Sequence, residues 1–155
     1  IAQALVERFG YIGIFLIAFF IGLNLFLPVP AATFTPIFIS AGFSLPGIII
    51  TLILGATLAD SIGYLIGVGG RHITRHTSPA LQKKIESFAL ERRAWLTPFV
   101  FLFSAFSPFP NEVIVIPLAL MGIRFRTIFI PLLLGTVLYE GVLAYGATTA
   151  FHYFF

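Results

Sequence analysis

Phe26-Leu27-Pro28-Val29-Pro30 returns eighty residues later as Phe106-Ser107-Pro108-Phe109-Pro110. Both stretches interrupt long apolar runs. Proline removes a backbone donor, and the residue before it is pushed out of the helical region. Unpaired backbone is costly in lipid, so such breaks persist only where they are buried in protein or line a wet cavity. Two in register read as a pair of re-entrant hairpins, the arrangement that marks a transporter binding site. A single Pro-x-Pro would read as a packing kink.

The register continues outward without a gap. Gly42 falls on Gly122, Gly55 on Gly135, and Asp60 on Glu140. The aliphatic matches between Ile48–Leu58 and Ile128–Leu138 agree with it but carry little weight in so apolar a chain. The first half, about 10–69, and the second, about 94–150, flank a basic loop at 70–93. Gly47–Gly69 and Thr127–Ala150 have full spanning length. Phe9–Leu27 is long enough for a span or a hairpin limb. Ala94–Ser107 is too short to cross a core of roughly 30 Å. The expected fold is all-α integral membrane, an inverted repeat in which each half is a proline-broken re-entrant hairpin followed by a transmembrane helix.

Composition supports this class. Of 155 residues 59% are hydrophobic and 10% charged, with a mean hydropathy of +1.04, too apolar for a soluble domain of this size. From Phe9 to Ala59 there is no Asp, Glu, Lys or Arg. That run is too long for a removable signal peptide. There are no cysteines, which excludes thiol chemistry and Cys-ligated metal. The net charge of +3 comes mostly from residues 70–93, the mark of a cytoplasmic loop beside anionic lipid and not of a nucleic-acid face. If each hairpin enters and leaves on one face, Arg71, Arg75, Lys83, Lys84, Arg92, Arg93, Arg124 and Arg126 share a side and Arg8 stands opposite. The positive-inside rule makes that side cytoplasmic.

Asp60, Glu112 and Glu140 lie within apolar segments, where a charge costs a few kcal/mol even on gentle insertion scales. They are the candidates for proton or ion coupling. Glu112 also suits the first turn of a helix, and Asp60 also suits an interhelical hydrogen bond. Gly55, Ala59, Gly63 and Gly67 form a small-residue stripe beside Asp60, and Thr136, Ala144 and Thr148 form one beside Glu140. Such stripes let helices approach closely. His72 and His76, spaced i, i+4, read as a basic face on headgroups rather than a metal site. Trp95, Tyr153, Phe154 and Phe155 read as interfacial anchors. No nucleophile–base set, phosphate loop or metal motif occurs, so neither an enzyme nor a bound cofactor is expected.

Ala59-Asp60-Ser61-Ile62-Gly63-Tyr64-Leu65-Ile66-Gly67 resembles the Asp-x-x-Gly-Tyr-x-x-Gly signature of the DedA family. Its members share the VTT, or SNARE-associated, domain with eukaryotic lipid scramblases. Pro28-Val29-Pro30 resembles the first hairpin apex, and Pro110, Pro117 and Gly122 match the second. The resemblance covers about Gly10 to Gly146 and implies inverted hairpins that move a phospholipid or polyprenyl-phosphate lipid, often with a proton gradient. The chain departs from the family at Ala32, where a Glu is usual. It has Ser104, Ala105, Ser107, Asn111 and Glu112 where arginines are usual, and Val68 after Gly67 where Arg is common, with Arg71 close by. Substrate binding is therefore expected at Pro28, Pro30, Pro108, Pro110 and Asn111, with half-helix N–H groups near Ala31 and Asn111 and with Arg124 or Arg126 from the rim.

The expected function is a lipid transporter in a bacterial or archaeal cytoplasmic membrane, with the bilayer and its lipid as partners and no nucleic acid. A homodimer through the small-residue seams is a further expectation. A proton- or cation-linked exporter of small cationic compounds is the alternative within transport, and a non-transporting scaffold the alternative outside it.

Overall fold

A computed structural model describes residues 9–23 and 29–154, and among these it is helical between its turns, with no strand. Helix α1 (Tyr11–Gly22) is followed by a short 3-10 segment (Ala31–Phe34) running into α2 (Thr35–Ser40). Then come α3 (Leu45–Thr77), α4 (Pro79–Glu91), α5 (Arg93–Phe106), α6 (Glu112–Leu120) and α7 (Phe125–Phe154). Arg8 and Pro28 lie outside the described residues.

Length separates the helices into two kinds. The 33 residues of α3 and 30 of α7 reach about 50 and 45 Å at 1.5 Å per residue, enough to cross a bilayer. The 12 of α1 and 14 of α5 reach only about 18 and 21 Å. Both short helices stop where the sequence leads to a proline pair. Ser107, held before Pro108, is extended at φ −79° and ψ 135°, and Pro30 is extended at φ −63° and ψ 134°. Helix α3 outruns the expected Gly47–Gly69 by two turns into the basic stretch. Nothing breaks it before Ser78-Pro79, and Thr74 and Thr77 return their hydroxyls to the carbonyls of Gly70 and Ile73.

The second limb of each half ends in the same glycine turn. Gly42 has φ +91° and Gly122 φ +84°, a left-handed conformation that disfavours any residue with a Cβ. Around the first, Ala41, Gly42 and Phe43 donate to Ile37, Ile39 and Phe38. Around the second, Met121, Gly122 and Ile123 donate to Pro117, Ala119 and Leu118, the identical helix-ending pattern at the eighty-residue offset. The turn at Gly42 opens directly onto the start of α3. The turn at Gly122 packs on Arg71, about 39 Å further along that helix.

Glycines also fix the crossings. A Cβ at Gly55 would stand 2.7 Å from the Ala18 side chain and from the Phe15 carbonyl of α1. A Cβ at Gly135 would stand 2.6 Å from the Ser104 side chain and 2.9 Å from the Phe101 carbonyl of α5. Each first limb thus lies on the long helix of its own half. Each second limb crosses over: α6 lies on α3, and residues 31–40 lie on α7. Two apolar cores result, one around Ile14, Phe38, Leu52 and Ala144, the other around Val100, Val115, Ile128 and Leu132. The faces of α3 and α7 turned away from these crossings expose Ile50, Leu54, Leu58 and Leu65, and Ile130, Leu134, Leu138 and Val142. Such rows of large apolar side chains suit a lipid surround.

At the basic end, Glu86 of α4 accepts from Arg71 Nε and Nη2 at 3.1 and 2.9 Å, from Arg75 Nη2 at 3.2 Å and from Gln82 Nε2 at 3.0 Å. The Gln82 hydrogen bond and then the Arg71 pairing hold its carboxyl below the usual carboxylate range. A group with a depressed folded-state pKa contributes stability that is full above its unfolded value and is lost as pH falls through the folded one. Docking of α4 is therefore expected to be constant from pH 8 to 5 and to weaken only below the ordinary Glu range. Amide exchange of residues 80–90, corrected for intrinsic rates, checks this. Loosening near pH 6 would contradict it.

Candidate functional site

The two proline breaks converge on one cavity. Its volume is about 80 Å³, and its wall includes Pro30 and Ala31 from the first half and Pro108, Phe109, Pro110 and Asn111 from the second. Asp60, Glu112 and Glu140 also line it, although they stand on three different helices. All three are buried, at 4%, 3% and 6% exposure. Among the described residues none has an ion-pair partner, and the salt bridges found involve Glu86 at the basic end.

Each carboxyl is placed by a separate piece of backbone logic. Asp60 lies on the glycine face of α3, beside Ala59 and Gly63, where α1 and α6 press closest. A Cβ at Gly22, the last residue of α1, would stand 2.7 Å from the Ala59 side chain. A Cβ at Gly63 would stand 3.0 Å from Glu112 Cγ. One turn further, a Cβ at Gly67 would run into the Ile116 carbonyl and stand 2.6 Å from the Ala119 side chain. Tyr64 completes this surface by donating its hydroxyl to the Ile123 carbonyl at 3.1 Å. Asp60, Gly63, Tyr64 and Gly67 thus act together as a docking face for the second hairpin, with the carboxyl at its inner end.

Glu112 opens α6, where the free N–H groups of a first turn favour a carboxylate, as its sequence position implies. Its Oε1 is nonetheless buried without a hydrogen-bond partner. Glu140 reaches from α7 to the start of the 3-10 segment, where the Ala32 N–H faces it, and its Oε2 is likewise buried and unpartnered. Unsatisfied buried acceptors are costly and call for a functional explanation.

Asn111 precedes α6 but makes no side-chain cap there. Its Nδ2 instead donates to Asp60 Oδ2 and to Thr136 Oγ1, both at 3.2 Å. Thr136 meets Ser104 Oγ at 3.1 Å, and Ser104 also donates to the Leu132 carbonyl at 3.0 Å. A polar chain thus runs from α3 through the tip of the second hairpin to α7 and α5. Ser104, Thr136 and Tyr139 line the cavity without having been expected there; only the small polar character of Ser104 and Thr136, at helix crossings, hinted at a role.

The other expected binding residues divide. Pro30, Pro108, Pro110 and Asn111 line the cavity. Pro28 falls outside the described residues. Arg124 and Arg126 are exposed at the basic end, where Arg124 lines a separate depression with Leu90, Gly122, Ile123 and Thr127. They do not border the acid cavity. No Lys or Arg lines it among the described residues. His72 and His76 sit with ring centroids 4.7 Å apart on the exposed end of α3, and the described residues contain no group of three or more acids, histidines or cysteines placed to hold a metal.

The family model of the VTT domain matches residues 27–148, most of the chain. No curated protein and no solved structure gives a match to it. The matched region takes in the proline breaks, both glycine turns, the Asp60–Gly67 docking face and all three buried acids. The chain is therefore a membrane protein of the DedA family, with the VTT domain as its body.

Proposed function

We propose that this protein is a transporter of inverted-repeat design that moves a phospholipid or polyprenyl-phosphate-type lipid across a bacterial or archaeal cytoplasmic membrane, coupled to protons through Asp60, Glu112 and Glu140. One observation carries the reading: two proline-broken segments and three buried carboxyls, without an ion-pair partner among the described residues, share a single cavity. Buried acids in a membrane mark ion or proton paths, and paired helix breaks mark a transport site. The re-entrant, inverted arrangement draws support from the short α1 and α5 and from the glycine turns at opposite ends of α3. A cavity of about 80 Å³ admits a few waters but is far below the roughly 300–1,000 Å³ of small-molecule sites. Lipid passage then requires the two apices to part.

A second reading, export of small cationic compounds, is favoured by the lining itself, which offers carboxylates and no base among the described residues. Purified protein in proteoliposomes with an imposed pH gradient separates the two. Gradient-dependent movement of a fluorescent phospholipid supports lipid transport, and movement of a cationic dye alone supports the second reading. Neither activity in a folded preparation leaves the scaffold.

The topology gives an independent check. Single cysteines at Lys84 and Arg124 are expected to label from the same side, because α4 and the 120–124 turn share one end of the molecule. A cysteine at Ser40, beside the Gly42 turn, is expected to label from the other. Labelling of Arg124 together with Ser40 would reject the inverted arrangement.

A further inference from the structure

The basic segment between the two halves plays no part in the acid cavity, yet its inner face is built with care. Gln82 is 2% exposed, and its Nε2 donates both to Glu86 and, at 3.1 Å, to the Leu120 carbonyl at the end of α6. The Arg71 guanidinium, held by Glu86, lies so close over Gly122 that a Cβ there would stand 2.6 Å from Nη2. Tyr64 holds the next carbonyl site, Ile123. Three ties from α3 and α4 therefore converge on the turn 120–123. The corresponding turn of the first half is tied differently. Tyr11, on that half's own first limb, stacks edge-on against Phe43 at 4.9 Å and meets Ser44 Oγ at 3.2 Å.

We propose that α4 is a strap, with Glu86 as its clasp, that fastens the base of the second hairpin to α3 so that α3, α4 and α6 move as one rigid body. The geometry of α6 fits this. Its length runs along the Gly63–Gly67 face of α3, where the backbones are too close to slide without clashing. Helix α1 lies as close on α3, at Gly55 and Ala59, and belongs to the same body, whereas residues 31–40 and α5 lie on α7 and form the other. Relative motion then concentrates at the tip, where Asn111 bridges Asp60 and Thr136. The strap rests on the transport reading only for its purpose; the fastening itself is testable without transport.

Hydrogen exchange of the full chain in lipid nanodiscs is the primary test. Glu86→Gln removes the charge that gathers Arg71, Arg75 and Gln82, and charge-assisted hydrogen bonds are the stronger kind. Exchange in residues 117–123 is expected to accelerate about tenfold, while residues 37–43 stay unchanged. Gln82→Leu, which cuts the direct tie to Leu120, is expected to do the same and serves if Glu86→Gln does not fold. Unchanged exchange at 117–123 in the folded variant, or equal acceleration in both turns, overturns the strap. In a second arm, Gln82→Cys and Leu120→Cys are joined by a short thiol crosslinker. Transport that survives the crosslink supports one rigid body, and transport lost on crosslinking overturns it. If no variant, including wild type, transports anything, the transport reading fails while the exchange result still decides the strap.

Discussion

Asp60→Asn is expected to insert and fold like the wild type, yet to lose the pH dependence of transport, with gradient-driven rates falling at least about tenfold toward the leak. The reasoning is chemical. A carboxamide at 60 keeps an oxygen for the Asn111 Nδ2 hydrogen bond and keeps the shape of the seam, but it cannot take up or release a proton. Glu140→Gln is expected to weaken coupling similarly, since Glu140 borders the same cavity from the opposite long helix. Asp60→Ala gives the contrasting outcome. It leaves the half-buried Asn111 amide one acceptor short, a cost of up to about 1 kcal/mol in stability. Rates in proteoliposomes from pH 5.5 to 8, beside thermal unfolding of each variant, separate the roles. Wild-type rates for Asp60→Asn at every pH would end the coupling reading and leave Asp60 as interhelical glue.

The second large effect belongs to Gly67, and it comes with an opposite-signed control two residues away. Gly67→Ala places a methyl against the Ile116 carbonyl and 2.6 Å from the Ala119 side chain, both on α6. Overpacking of this kind costs about 1–3 kcal/mol, and the backbone of α6 must move to relieve it. The helix-propensity gain of Ala over Gly returns at most about 1 kcal/mol. The variant is expected to be destabilised and, because α6 carries Glu112, to lose transport as well. Gly69→Ala has nothing within 4 Å of the new methyl among the described residues, so its stability is expected to be unchanged or slightly raised. Unfolding midpoints followed by Trp95 fluorescence check both signs. Equal midpoints for the two variants would mean that α6 does not dock on Gly67.

How far the sequence reached follows from which interactions are local. The membrane class, the two proline breaks, the register of Gly42 with Gly122 and the long helices were legible because each rests on a property carried by one residue or one short run. A proline has no N–H, a glycine tolerates positive φ, and a charge-free run of this length is insoluble outside lipid. The acids were legible as isolated charges within apolar segments. What the sequence could not say is what the small-residue stripe of α3 faces. Gly55 receives α1, while Gly63 and Gly67 receive α6, and nothing in the spacing distinguishes those partners from a second copy of the chain. Nor could it say that Asn111 leaves its helix-capping position to bridge Asp60 and Thr136, or that Arg124 and Arg126 stay at the basic end, away from the cavity. These outcomes depend on the angle at which each hairpin limb crosses a helix distant from it in the chain. Tertiary packing alone sets that angle, and with it decides which of the scattered polar groups become neighbours.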